Sequence, residues 1–197
     1  MGAPKHAAER YTYGECLRWP DDVRYELIDG QAWMMSPVPS IEHQDIAGDL
    51  YFQLRQALQG APCRVFIAPV DVRLPRGDEA DGDIDTVVQP DVLLVCDPGK
   101  IDRRGVRSAP DGVVEVLSPS TAARDQIAKR RIYERAGVRE YWLVHPTDRT
   151  LTVHTLVDGR YGIPEISELK DSTVLAILPD VAIAWDALVA RLPAVEP

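Results

Sequence analysis

Hydrophobic and polar positions along this chain fall into short blocks that predict more strands than helices. The runs Arg24-Tyr25-Glu26-Leu27-Ile28 and Gln31-Ala32-Trp33-Met34-Met35 are β-favouring and are joined by Asp29-Gly30, a pair suited to a two-residue hairpin turn. Beyond the breakers Pro37 and Pro39, Ser40 can cap a helix whose apolar positions Ile46, Ala47, Leu50, Leu54, Ala57 and Leu58 keep helical spacing up to Gly60. His43 precedes Ile46 and Ala47 by three and four residues, so it lies over that buried stripe. Strand-like runs follow at 64–74, 87–95 and 113–117. Ser118-Pro119-Ser120-Thr121 ends the last of these and offers caps for a helix over 122–136, stopped by Gly137. The run 140–144 returns as a strand, and a crossover through a helix favours its parallel pairing with the strand of Glu115. A hairpin turning at Asp158-Gly159 and a short helix within 181–192 complete the expectation. The order predicts an α/β chain with a mixed sheet flanked by helices and opened by an N-terminal β-hairpin.

One block breaks its own pattern. In Gly112-Val113-Val114-Glu115-Val116-Leu117-Ser118, Glu115 shares a face with Val113 and Leu117, while Val114 and Val116 cover the other. A lone buried carboxylate there costs several kcal/mol, so either the strand is an edge open to water or a positive charge compensates it. Asp91, after Pro90 and ahead of Val92-Leu93-Leu94-Val95, is a second such intrusion. On the following helix Asp125, Lys129 and Tyr133 are spaced i, i+4, i+8 beside an apolar stripe of Ala128, Ile132 and Ala136, which turns Lys129 towards the sheet and within reach of Glu115. Two converging carboxylates can hold one Mg²⁺, a hard cation that keeps waters for a phosphate to replace. A lysine beside them can orient or deprotonate the attacking water and offset charge on the phosphate. The plainer alternatives are a structural ion pair for Asp91 and Glu115, a solvated lysine for Lys129, a packed ring for Tyr133 and a core histidine for His43. Glu26, on a hairpin strand, is expected at the surface.

Composition narrows the class. A chain of 197 residues, 45% hydrophobic and 27% charged, suits one globular unit spanning 1–197, with an extension over 1–20 and a core over 21–192. No apolar window long enough for a membrane span and no apolar leader are present, which favours a cytoplasmic protein. Cys16, Cys63 and Cys96 are odd in number and scattered, and read as buried thiols rather than a disulfide framework or zinc site. The net charge of −9 argues against a surface that grips nucleic acid everywhere. Yet 122–141 carries six basic side chains against three acidic ones, so Arg124, Arg130 and Arg131 form either a solvated face or a local contact for DNA. The acidic DGDID stretch lacks the glycine and closing glutamate of a calcium loop. Trp33, Trp142 and Trp185 read as core, with no aromatic ladder for stacking bases.

The blocks YELIDG, SPVPSIEHQ, VFIAPVDVRL, VVQPDVLLVCDP, APDGVVEVLSPSTAARD, YERAGVREYWLV and DGRY, in this order, resemble the motifs of the Uma2 family of endonucleases in the PD-(D/E)XK nuclease superfamily. The resemblance covers roughly residues 11 to 190. It implies a restriction-endonuclease-like core, Mg²⁺ or Mn²⁺ as cofactor, DNA as substrate and, by analogy, a homodimer. The superfamily's Pro-Asp falls on Pro90-Asp91 and its second acid on Glu115; the Val116 carbonyl, next along the strand, is a candidate third metal ligand. Two residues after that acid the superfamily places a lysine, where this chain has Leu117. The family's relocated lysine then corresponds to Lys129. His145 stands where family members often carry an acid. Glu26 and His43 match family positions as supporting residues, and Tyr133 is placed to reach a phosphate. The missing lysine beside Glu115 and the acidic charge keep a second class open: a catalytically silent nuclease-fold protein that binds a partner.

Overall fold

Asp29 and Gly30 both take positive φ, 51° and 80°, and join β1 (Tyr25–Ile28) to β2 (Gln31–Met34) in the hairpin the Asp-Gly pair predicts. The computed structural model describes residues 9–20, 24–35 and 38–193; residues 1–8 of the expected extension and the Pro37 breaker lie outside the described residues. Ahead of the hairpin, α1 (Tyr13–Cys16) and Trp19 pack against Leu27, Ile84 and Val87. α2 (Ile41–Ala57) starts at Ser40, whose hydroxyl accepts from the His43 backbone N–H, and buries Ile46, Ala47, Leu50 and Leu54 as its spacing requires.

Two expected strands divide. The 64–74 run becomes β3 (Arg64–Ile67) and β4 (Val72–Arg73), and 87–95 becomes β5 (Val87–Val88) and β6 (Val92–Val95). Pro69 and Pro90 fall at the two breaks, where a proline removes an N–H from the ladder. After each break the chain enters another sheet. Next come β7 (Ile101–Asp102), β8 (Gly105–Arg107) and β9 (Gly112–Val116). The expected helix over 122–136 is a π-helix, Arg124–Lys129, continuing into α3 (Arg130–Ala136) and ending at Gly137 with φ of 91°. Then follow β10 (Glu140–His145), β11 (Thr150–Val157), β12 (Arg160–Tyr161), β13 (Glu165–Glu168), β14 (Ser172–Leu175) and β15 (Leu178–Ala184). The helix expected within 181–192 is thus a correction: only α4 (Asp186–Val189) is helical there. Val181 and Ile183 are buried between exposed alanines, a period of two that only a strand satisfies.

One sheet runs β2-β1-β5-β4-β8-β7, the central one β12-β11-β10-β9-β6-β3 with β13 on β11, and β14 pairs β15. β9 is parallel to β10 and antiparallel to β6, so the central sheet is mixed, as the crossover predicts. Its faces divide as the alternation requires. Val114 and Val116 join Leu50, Leu54, Trp142 and Trp185 under α2, while Val113 and Leu117 join Ile132, Tyr133 and Tyr141 under α3. No helix among the described residues is long and apolar enough to cross a membrane.

Two further expectations are corrected. Cys63 and Cys96 are bonded in a disulfide with Cα atoms 3.8 Å apart, and only Cys16 is free. They flank Arg64 and Val95, which pair across β3 and β6, so strand register sets the cysteines side by side although they lie at a sequence separation of 33. Trp33 is 40% exposed on the outer strand β2, whereas Trp142 and Trp185 are core.

Candidate active site

The carboxylate at the centre of β9 is buried and compensated. Glu115 faces the π-helix, where Lys129 Nζ donates to its Oε1 at 2.9 Å and the Tyr133 hydroxyl donates to the same oxygen at 2.9 Å. Lys129 Nζ also lies 2.8 Å from Glu26 Oε1 and 3.5 Å from Asp125 Oδ1. The i, i+4, i+8 spacing of Asp125, Lys129 and Tyr133 therefore puts all three on the buried face. π-helical turns recur at functional sites, and this one brings Arg124 as well as Asp125 and Lys129 towards the sheet. The Tyr141 hydroxyl donates to the Asp125 carbonyl at 3.1 Å and pins the turn to β10.

Asp91, just ahead of β6, belongs to the same region. Val92 pairs with Val114, and one further step of that register sets Asp91 opposite Glu115. The Val116 N–H donates to Asp91 Oδ2 at 2.7 Å, and His43 Nε2 lies 3.1 Å from the same oxygen. The Val116 carbonyl faces that imidazole too. Asp91 and His43 keep 18% and 16% of their side chains exposed, so this is the more open end of the cluster.

The electrostatics follow from burial. Desolvation, reinforced by Asp125, Asp91 and Glu26, pushes the Glu115 carboxyl well above the usual carboxylate range despite Lys129. Burial likewise raises Asp125, although Lys129 opposes it. For Lys129, burial acts to discharge the amine, but Glu115, Glu26 and Asp125 outweigh it and hold the ammonium charged. Burial also opposes charge on His43, and the Asp91 contact overcomes it, raising His43 above its ordinary value. Burial and Glu115 keep the Tyr133 hydroxyl protonated.

The expected site residues divide by location. Asp91, Glu115, Val116, Lys129, Tyr133, Glu26 and His43 converge. Glu26 is fully buried rather than at the surface, because β1 meets the π-helix on that face. Arg124 is turned inward, 3.6 Å from Glu26 Oε2 and 3.9 Å from Asp125 Oδ1. Arg130 pairs with Glu134, and Arg131, 71% exposed, bonds Asp29 at the hairpin tip. Sequence reasoning put Asp125 on the right helix face without naming it a site residue; its i, i+4 spacing to Lys129 was the available signal.

Among the described residues, no three His, Cys, Asp or Glu side chains close on one point as a preformed metal cage does. The donor chemistry nevertheless fits a hard divalent cation. Lys129 reaches Glu26, Glu115 and Asp125, Asp91 pairs with His43, and burial holds the Glu115 and Asp125 carboxyls towards protonation, a cost that a bound divalent cation would relieve. Glu26 Oε2 and Asp125 Oδ1 are buried without a hydrogen-bond partner.

This mixed sheet with flanking helices is also the fold of a solved structure. A crystal structure from Anabaena variabilis, described as "a putative nuclease belonging to DUF820", superposes with a TM-score of 0.72 at 19% identity, covering 92% of this chain and 99% of that one. Over residues 13–186 the sequence matches the Uma2 family, described as "Putative restriction endonuclease". The chain belongs to the Uma2 family. It is also 31% identical over 166 residues to the protein slr1290 of Synechocystis sp., aligned over 81% of this chain and 80% of that one.

Proposed function

We propose that this protein is a metal-dependent endonuclease that hydrolyses phosphodiester bonds of DNA. The observation that carries the reading is the buried Lys129 ammonium, 2.9 Å from Glu115 and 2.8 Å from Glu26, beside Asp91 on the adjoining strand. Asp91, Glu115 and the Val116 carbonyl would hold Mg²⁺ or Mn²⁺, which when bound supplies Lewis acidity and a more acidic water. Lys129 orients the attacking water and offsets charge on the phosphate; its own carboxylate partners hold it charged for that work. Tyr133 fixes the Glu115 carboxylate, and His43 with the Val116 N–H orients Asp91. Family membership and the nuclease fold support the class. A cytoplasmic homodimer is part of the same proposal.

A second reading, a silent nuclease-fold binding module, is favoured by the engagement of Lys129 by three carboxylates, with no ready-made cage around Asp91 among the described residues. Nicking of supercoiled and single-stranded circular DNA, assayed with EDTA, Mg²⁺ or Mn²⁺, separates the two. The enzyme reading expects metal-dependent nicking by the wild type and its loss in Asp91→Asn and Lys129→Met variants that still melt cooperatively. Nicking that survives both substitutions, or no cleavage of any substrate with either metal, overturns it.

A further inference from the structure

We propose that Trp33 and Arg24 form a nucleotide subsite, and that the substrate presents an unpaired base beside the bond to be cut. The inference rests on the nuclease reading and adds the substrate's strandedness. Glu26 pairs directly with Trp33 across the hairpin, and directly opposed residues point to the same face with Cβ atoms roughly 5 Å apart. The indole therefore stands next to the carboxylate that holds Lys129. Arg24 precedes Glu26 by two residues, shares that face and is exposed, its guanidinium bonded to Gln89. An aromatic plane and a cation thus flank the cluster on one strand pair.

Trp33 is the tryptophan that the fold does not use. Trp19 packs edge-on against Tyr11 and Tyr25, and Trp142 lies against Trp185, whose indole N–H bonds Thr173. Trp33 has no ring partner among the described residues and lies on an outer strand. It is nonetheless held in place. At the hairpin tip, Asp29 is bonded by Arg76, Arg131 and Arg135, which ties the hairpin to α3. An exposed indole on an anchored hairpin beside the proposed phosphodiester site is suited to stacking a base, and stacking needs no broad basic surface. That matches a chain of net charge −9, which cannot wrap duplex phosphates as a basic protein does. Only an unpaired base offers its face to the ring.

The test is the anisotropy of a short fluorescein-labelled single-stranded deoxyoligonucleotide titrated, with Ca²⁺ present, with wild type, Trp33→Ala and Trp33→Phe. Tryptophan quenching in the wild type adds a direct readout of Trp33, because the other tryptophans are buried. The single strand should quench the wild type, bind Trp33→Ala roughly 5- to 150-fold more weakly and bind Trp33→Phe nearly as tightly as wild type. An abasic strand of equal phosphate count should bind the wild type no better than the intact strand binds Trp33→Ala. Equal binding of abasic and intact strands, unchanged affinity in Trp33→Ala, tighter binding of duplex, or no binding to the wild type overturns the subsite. Hydrolysis of bis(p-nitrophenyl) phosphate with Mn²⁺, a substrate without a base, tests the nuclease reading alone: its absence condemns that reading, while the binding arms judge Trp33 separately.

Discussion

At the residue scale, the central fact is that one lysine compensates three buried carboxylates. Removing one partner of a buried charge network leaves the others desolvated and uncompensated, so Lys129→Met should lower stability by about 3–5 kcal/mol in urea unfolding at neutral pH, the loss shrinking as pH falls and the orphaned acids take up protons. Tyr133→Phe removes one hydrogen bond to Glu115 and should cost about 1–3 kcal/mol by the same measurement. Away from the site, His154 is buried beside Tyr141 and Tyr161, and burial, with Arg130 nearby, lowers its pKa. Its neutral form is the folded one. The unfolded chain then binds the proton more readily, so stability present above about pH 6.5 is lost as pH falls through the lowered folded value. The melting temperature of His154→Gln should accordingly drop less than that of the wild type between about pH 7 and pH 5. Glu115 and Asp91 were legible in sequence because each breaks an apolar strand, and Lys129 because its spacing keeps it on one helix face. Glu26 was not: a short hairpin strand with a single acid does not say which face meets a helix, and only packing against the π-helix decides it.

At the scale of elements, proline and cysteine carried information that strand periodicity alone did not resolve. Apolar runs across Pro69 and Pro90 read as single strands, yet each splits between two sheets. The disulfide depends on register, since Cys63 and Cys96 adjoin a pairing that only the β3–β6 ladder establishes. Thiol titration of the denatured, unreduced protein should give one reactive thiol, from Cys16, and three after reduction. Reduction opens the loop that the disulfide closes in the unfolded chain, so with a sequence separation of 33 it should cost about 3–4 kcal/mol, read from denaturant midpoints. The π-helix was hidden for another reason. Periodicity places Asp125, Lys129 and Tyr133 on one face of either helix type, so it does not distinguish the wider turn of Arg124–Lys129 from an α-helical one.

At the scale of the whole molecule, the fold brings two sheets and the π-helix to one point: β1 supplies Glu26, β9 supplies Glu115, and Lys129 lies between them. The mixed sheet with helices on both faces was legible from element order, because a strand, a helix and a second strand in succession leave little choice but a parallel crossover. Of the six-stranded sheet only the β1–β2 hairpin was, since its other strands of two or three residues carry too little alternation to read. Burial holds the clustered carboxyls of Glu115 and Asp125 towards protonation, and a divalent cation is the charge that would relieve it. Calorimetric titration of Mn²⁺ into metal-free wild type and Glu115→Ala tests that claim most directly. Saturable binding in the wild type that disappears in the variant is the predicted result; no heat in the wild type, or the same isotherm in both proteins, would contradict it.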